Sequence, residues 1–124
     1  MDFVATDSAP KAIGPYSQAV KANGLVYTSG QIALDPASCN LVTDSFEAQV
    51  RRVFQNLEAV LRGAGSDFSR VIKATVYVTD LANFQALNTI YAEVFGDHKP
   101  ARTTVGVSQL PKGAAVEIDL IALT

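Results

Sequence analysis

A chain of 124 residues with 48% apolar and 18% charged side chains has the make-up of one globular domain spanning 1–124, not of a disordered segment. Its formal net charge of −2, with no basic cluster larger than Arg51-Arg52, offers no attraction to nucleic acid or to an anionic lipid surface. No apolar run reaches the ~20 residues that cross a bilayer. The first residues carry acids where a secretory leader carries Lys or Arg, and Cys39 has no second cysteine to pair with. These features lead to the expectation of a reducing, cytosolic-type compartment. A cleaved organelle presequence would leave the same residues behind.

In chain order, residues 17–22 and 25–29 read as two short strands joined at Asn23-Gly24, a dipeptide that suits a two-residue hairpin turn. The following stretch, GQIALDPASCNLVTDS, is a loop punctuated by Gly30, Pro36 and Asn40. Phe46, Val50, Val53, Phe54, Leu57, Val60 and Leu61 recur at helical spacing. Asp44 or Ser45 caps that helix, Glu47 sits in its first turn, and Gly63 or Gly65 ends it. RVIKATVYVT alternates as a strand, with Ile72, Ala74, Val76 and Val78 on one side and Lys73, Thr75, Tyr77 and Thr79 on the other. A second helix opens after Asp80, carries the stripe Phe84, Leu87, Tyr91, Val94 and Phe95, and closes at Gly96. Two further strands, near 102–107 and 115–123, flank SQLPKG. This order predicts an α+β layer with both helices on one face of a mixed sheet. The other face then carries Tyr77, Ile121 and Leu123 among polar residues, which favours self-association over scattered surface apolars.

The last strand raises a chemical question, because Glu117 and Asp119 interrupt the apolar run AAVEIDLIAL. Strand parity places both acids opposite Val116, Ile118 and Leu120. In KPARTTVGV the same rule groups Thr103, Val105 and Val107 as the core side, with Arg102, Thr104 and Gly106 pointing away. Arg102 and Glu117 are thus expected on the same, non-core face, and a hairpin between the two strands would bring them together. A guanidinium fork holds a carboxylate in two parallel bonds, and a nearby carboxylate activates water. An ion pair that only stitches the strands is the plainer alternative.

The segments AIGPYSQAV, YTSGQIALDP, VIKATVYVTDLANFQALN and KPARTTVGVSQLPKGAAVEID occur in one order across nearly the whole chain. Together they resemble the RidA/YjgF family, the reactive-intermediate imine deaminases. The resemblance implies a chorismate-mutase-like α+β fold, assembly as a homotrimer, and a cleft at each subunit junction. It implies hydrolysis of 2-imino acids such as 2-iminobutanoate and 2-iminopropanoate to 2-keto acids and ammonia, which protects pyridoxal-phosphate enzymes from damage. It implies no metal or organic cofactor, and a small carboxylate as ligand. By motif, Arg102 resembles the arginine that grips the substrate carboxylate, and Glu117 the acid that holds the hydrolytic water. Tyr16 resembles a tyrosine lining the cleft, Gly30 offers backbone beside the ligand with Ser29 next to it, and Phe84 and Asn88 resemble pocket residues from the second helix. Many relatives carry a reactive cysteine two residues after the arginine. Thr104 stands there in this chain, so a hydroxyl that bonds a ligand replaces the thiol.

Each assignment has a structural counterpart. Tyr16 braces the Gly14-Pro15 turn, Asn88 is a satisfied helix polar residue, Phe84 packs in the core, Asp119 is a structural acid, and His98 belongs to a surface turn. Ser17 and Ser29 lack the His and Asp partners of a nucleophilic serine. Family resemblance also admits a non-catalytic alternative, an RNA-binding, chaperone-like or ligand-sensing protein. The acidic balance speaks against RNA.

Overall fold

The computed structural model describes residues 1–124. Strand β1 (Asp2–Val4) is followed by β2 (Ala19–Ala22) and β3 (Leu25–Thr28). Helix α1 (Phe46–Gly63), strand β4 (Val71–Val78), helix α2 (Phe84–Phe95), strand β5 (Ala101–Gly106) and strand β6 (Val116–Leu123) complete the order. All six strands join in one mixed sheet, ordered β1-β2-β3-β6-β4-β5, with both helices on one face. No helix is long and apolar enough to cross a membrane.

Local chemistry accounts for the elements. Asn23 (φ 53) and Gly24 (φ 77) both take the left-handed conformation that matches the twist of β2 and β3. The Ser45 side chain accepts from the Ala48 N–H at 3.0 Å and caps α1. Val50, Val53, Leu57, Val60 and Leu61 then bury fully against Val76, Ile118 and Leu120 of the sheet. Phe54, Phe68 and Phe95 meet edge-to-face, with ring centroids 5.5 to 6.0 Å apart, and tie α1 to α2.

The expected hairpin between the last two strands does not form. β5 pairs in parallel with β4, and β6 pairs antiparallel with β3 and β4, so β4 separates them. A parallel pair needs a long crossover, and α2 supplies it. The face assignment changes as a result. Arg102, Thr104 and Gly106 stand beside Ala74, Val76 and Val78 on the helix side, whereas Thr103 and Val105 stand beside Thr75 and Tyr77 on the open side. Glu117 pairs with Tyr77 and lies on the open side. Apolar parity misleads here because β5 is an edge strand whose helix side is only partly covered, so its polar residues face inward.

Ile72 also departs from its expected inward position. The β4–β6 register shifts between Val71 and Lys73, so Val71 enters the core and Ile72 is exposed. The open face carries Tyr27, Val105 and Leu123, all exposed, beside Thr75, Tyr77, Glu117, Asp119 and Ile121.

Candidate functional site

Two clusters of polar side chains occupy opposite faces of the sheet. The first surrounds Glu117. An antiparallel bridge, in which the Gln31 N–H donates to the Ile118 carbonyl at 2.9 Å, lays the segment after β3 alongside β6. Gly30 thereby lies under the Glu117 side chain. A Cβ on Gly30 would stand 2.2 Å from Glu117 Oε2, so only glycine lets the carboxylate rest there. Helix α1 holds this arrangement with buried amides. Asn56 Nδ2 donates to the carbonyls of Ile32 (3.3 Å) and Leu34 (2.9 Å), and Gln49 Oε1 accepts from the Ala115 N–H at 2.9 Å.

Tyr16, Gly30 and Glu117 line one small cavity of about 90 Å3, together with Lys11 and Lys112. Burial lifts the Glu117 carboxyl above its ordinary value, and Asp119 two residues along the same face adds to the effect. Asp119 is lifted as well, again by burial, while Tyr77, whose hydroxyl donates to it at 3.2 Å, and Lys73 oppose the shift. Ser29 is committed elsewhere, since its hydroxyl donates to the Ser17 carbonyl at 2.5 Å.

The second cluster surrounds Arg102. Its Nη1 donates to Asn88 Oδ1 at 2.8 Å, and its Cζ lies 4.7 Å from the Tyr91 ring centroid and 5.5 Å from that of Phe84. The guanidinium is therefore fixed by α2 from three directions. No carboxylate compensates it, because the chain's ion pairs are Arg51–Glu93 and Arg62–Glu58. A cavity of about 300 Å3 opens beside it, lined by Asn88, Tyr91, His98, Lys99 and Arg102 among others. The Thr104 hydroxyl, two residues further along the same face of β5, is buried without a partner, as is that of Tyr91. Burial raises the Tyr91 phenol, against the opposing Arg102 charge, so it remains a donor.

The largest cavity, about 410 Å3, lies elsewhere, under residues 3–18. Its charged lining is Asp7 and Lys11, and it reaches neither Glu117 nor Arg102.

Arg102 and Glu117 themselves do not meet within one chain. Two strand spacings of ~4.8 Å and three residues of ~3.3 Å separate their backbones by roughly 14 Å, with the side chains on opposite faces. Sequence reasoning also left Tyr91 in the core and His98 in a surface turn, yet both line the arginine cavity. Lys112 beside Glu117 carried one faint signal, its position before Gly113 in a turn where both residues take positive φ.

The fold and these two clusters define a class: an α+β layer protein with separate cationic and acidic clefts of small-ligand size. The chain belongs to the RidA/YjgF family, since the profile described as endoribonuclease L-PSP matches residues 6–124. It is 50% identical over 121 residues to protein DfrA of Myxococcus xanthus, covering 96% of this chain and 92% of that one. It is 45% identical over 121 residues to the chloroplastic Reactive Intermediate Deaminase A of Arabidopsis thaliana, covering 98% of this chain and 65% of that one. The crystal structure of RidA from Psychrobacter sp. PAMC 21119 superposes with a TM-score of 0.96 at 41% identity over 100% of both chains.

Proposed function

We propose that this protein is a hydrolytic deaminase that converts 2-imino acids, 2-iminobutanoate and 2-iminopropanoate among them, to 2-keto acids and ammonia. The observation that carries the reading is the pair of incomplete half-sites. A half-buried guanidinium without a counter-ion is costly unless an anion joins it, and Arg102 is held ready for a carboxylate. Glu117 has the complementary property of a carboxyl raised by burial above its ordinary value, which makes it a better proton acceptor when ionised. One chain cannot offer both to one small molecule, so the site is completed where two copies meet, Arg102 from one and Glu117 from its neighbour. The apolar residues of the open face support association, and a homotrimer accommodates it.

In this site Arg102 binds the substrate carboxylate and sets the imine carbon against a water held by Glu117. Glu117 takes a proton as the water oxygen bonds to that carbon. The C=N π pair moves to nitrogen, which takes the proton back from Glu117. The hydroxyl proton of the tetrahedral intermediate then passes through Glu117 to nitrogen as the C–N bond breaks, so ammonia leaves and the carbonyl forms. Tyr16 and the Gly30 backbone wall the acid side, while Phe84, Asn88 and Thr104 wall the arginine side. Positioning supplies much of the acceleration, because the imine is already electrophilic. The chain's own residues suffice for every step, without a cofactor.

The relative named Reactive Intermediate Deaminase A supports this activity. The test couples a threonine or serine dehydratase, which releases the imine, to detection of keto acid. Faster keto-acid release on adding the protein supports hydrolysis. Unchanged release at saturating protein, with a carboxylate still bound, leaves a ligand sensor instead.

A further inference from the structure

The cavity beside Arg102 carries more positive charge than one carboxylate needs. Arg102 and Lys99 are the two formal cations in its lining, which holds no Asp or Glu. Neither takes part in a side-chain ion pair. A cleft of about 300 Å3 opens beside these groups on the single chain. The His98 Nε2 lies 2.6 Å from the Val71 carbonyl, which anchors the turn and so holds Lys99 and Pro100 at the cavity wall.

We infer that the preferred substrates are 2-imino dicarboxylates, whose α-carboxylate lies on Arg102 and whose distal carboxylate reaches Lys99, the second cation in the lining of this cavity. The inference rests on the deaminase reading for its chemistry and goes beyond it in naming the substrate class. An anion at each end matches two cations in one cavity lining. The reaction stays balanced as before, with water consumed and ammonia released, and the distal carboxylate is a spectator. Lys99 is a specificity determinant here and takes no part in bond making.

The test compares two four-carbon imines, the monoanion formed from 2-aminobutanoate and the dianion formed from aspartate, each released by a flavin amino-acid oxidase with catalase present. Loss of semicarbazide-trappable imine gives kcat/KM. The dianion is expected to be favoured about tenfold, the effect of one charge-assisted contact. Lys99→Met should abolish that preference by lowering kcat/KM for the dianion about tenfold more than for the monoanion, and Lys99→Arg should restore it. Equal values for the two imines, or a Lys99→Met loss shared by both, overturns the inference while leaving the deaminase reading intact. If neither imine is hydrolysed, the deaminase reading fails, and thermal shift decides the cavity separately. Stabilisation by 2-oxoglutarate above that by 2-oxobutanoate, lost in Lys99→Met, upholds the dianion site, and no difference rejects it.

Discussion

Gly30 lies so close beneath Glu117 that a single methyl group would stand 2.2 Å from the carboxylate oxygen. The Gln31–Ile118 bridge and the Asn56 and Gln49 amides all converge on this approach. In Gly30→Ala the flexible end of Glu117 moves aside, so the fold survives and the base is misplaced. Imine hydrolysis should fall about 100-fold, the scale of a misplaced catalytic group. Circular dichroism should stay unchanged. Full activity in a folded Gly30→Ala protein would show that Glu117 has no fixed position to keep.

The raised Glu117 carboxyl makes two pH effects predictable. A general base works only when deprotonated, so kcat/KM should rise with pH through a value above the ordinary 4.5. Stability moves the other way. A folded-state pKa above the unfolded one contributes stability that is fully present below the unfolded value. That contribution is lost as pH rises through the folded value. Glu117→Gln should flatten the fall in stability across that window, as read from denaturant midpoints at successive pH values.

Arg102 tests the carboxylate clamp. Arg102→Lys keeps the charge but loses the planar fork and the stacking on Tyr91 and Phe84. It should raise KM about tenfold or more, since hydrogen bonds to charged groups are of that size. Asn88→Ala frees the guanidinium at Nη1 and should raise KM less, with kcat nearly unchanged. Equal KM values for wild type and Arg102→Lys would remove the clamp.

Gln18 is a structural counterpart. Its buried amide accepts from the Thr6 N–H at 2.7 Å and donates to the carbonyls of Thr6 (3.0 Å) and Pro10 (2.8 Å). It thereby pins the segment that brings Lys11 and Tyr16 to the acid cavity. Gln18→Ala leaves these backbone groups unsatisfied and should cost about 2 kcal/mol in urea unfolding. Protease cleavage should appear first between residues 6 and 16.

Much of this arrangement was legible in residue order. The Asn23-Gly24 turn, the Ser45 cap, both amphipathic helices and the parity of β6 follow from local chemistry, and the structure has them where spacing puts them. Strand pairing was not legible. Nothing in residues 101–123 distinguishes a hairpin from a strand pair split by β4, because that choice depends on α2 returning the chain parallel to β4. The face of Arg102 was lost with it. Val105 imitates a core residue, yet on an edge strand it looks toward the open side. Tyr91 was hidden by the opposite effect, since a residue on an apolar stripe serves both the core and the guanidinium stacked on it.

Opposite-face placement of Arg102 and Glu117 leads to one decisive experiment. Arg102→Ala and Glu117→Gln chains should each be inactive alone. Co-expressed in equal amounts, they should recover about a quarter of wild-type imine hydrolysis, since roughly one boundary in four then pairs an intact Arg102 with a neighbour's intact Glu117. Activity of the mixed assembly no greater than the average of the two inactive parents would mean that the two residues do not serve one site across a boundary.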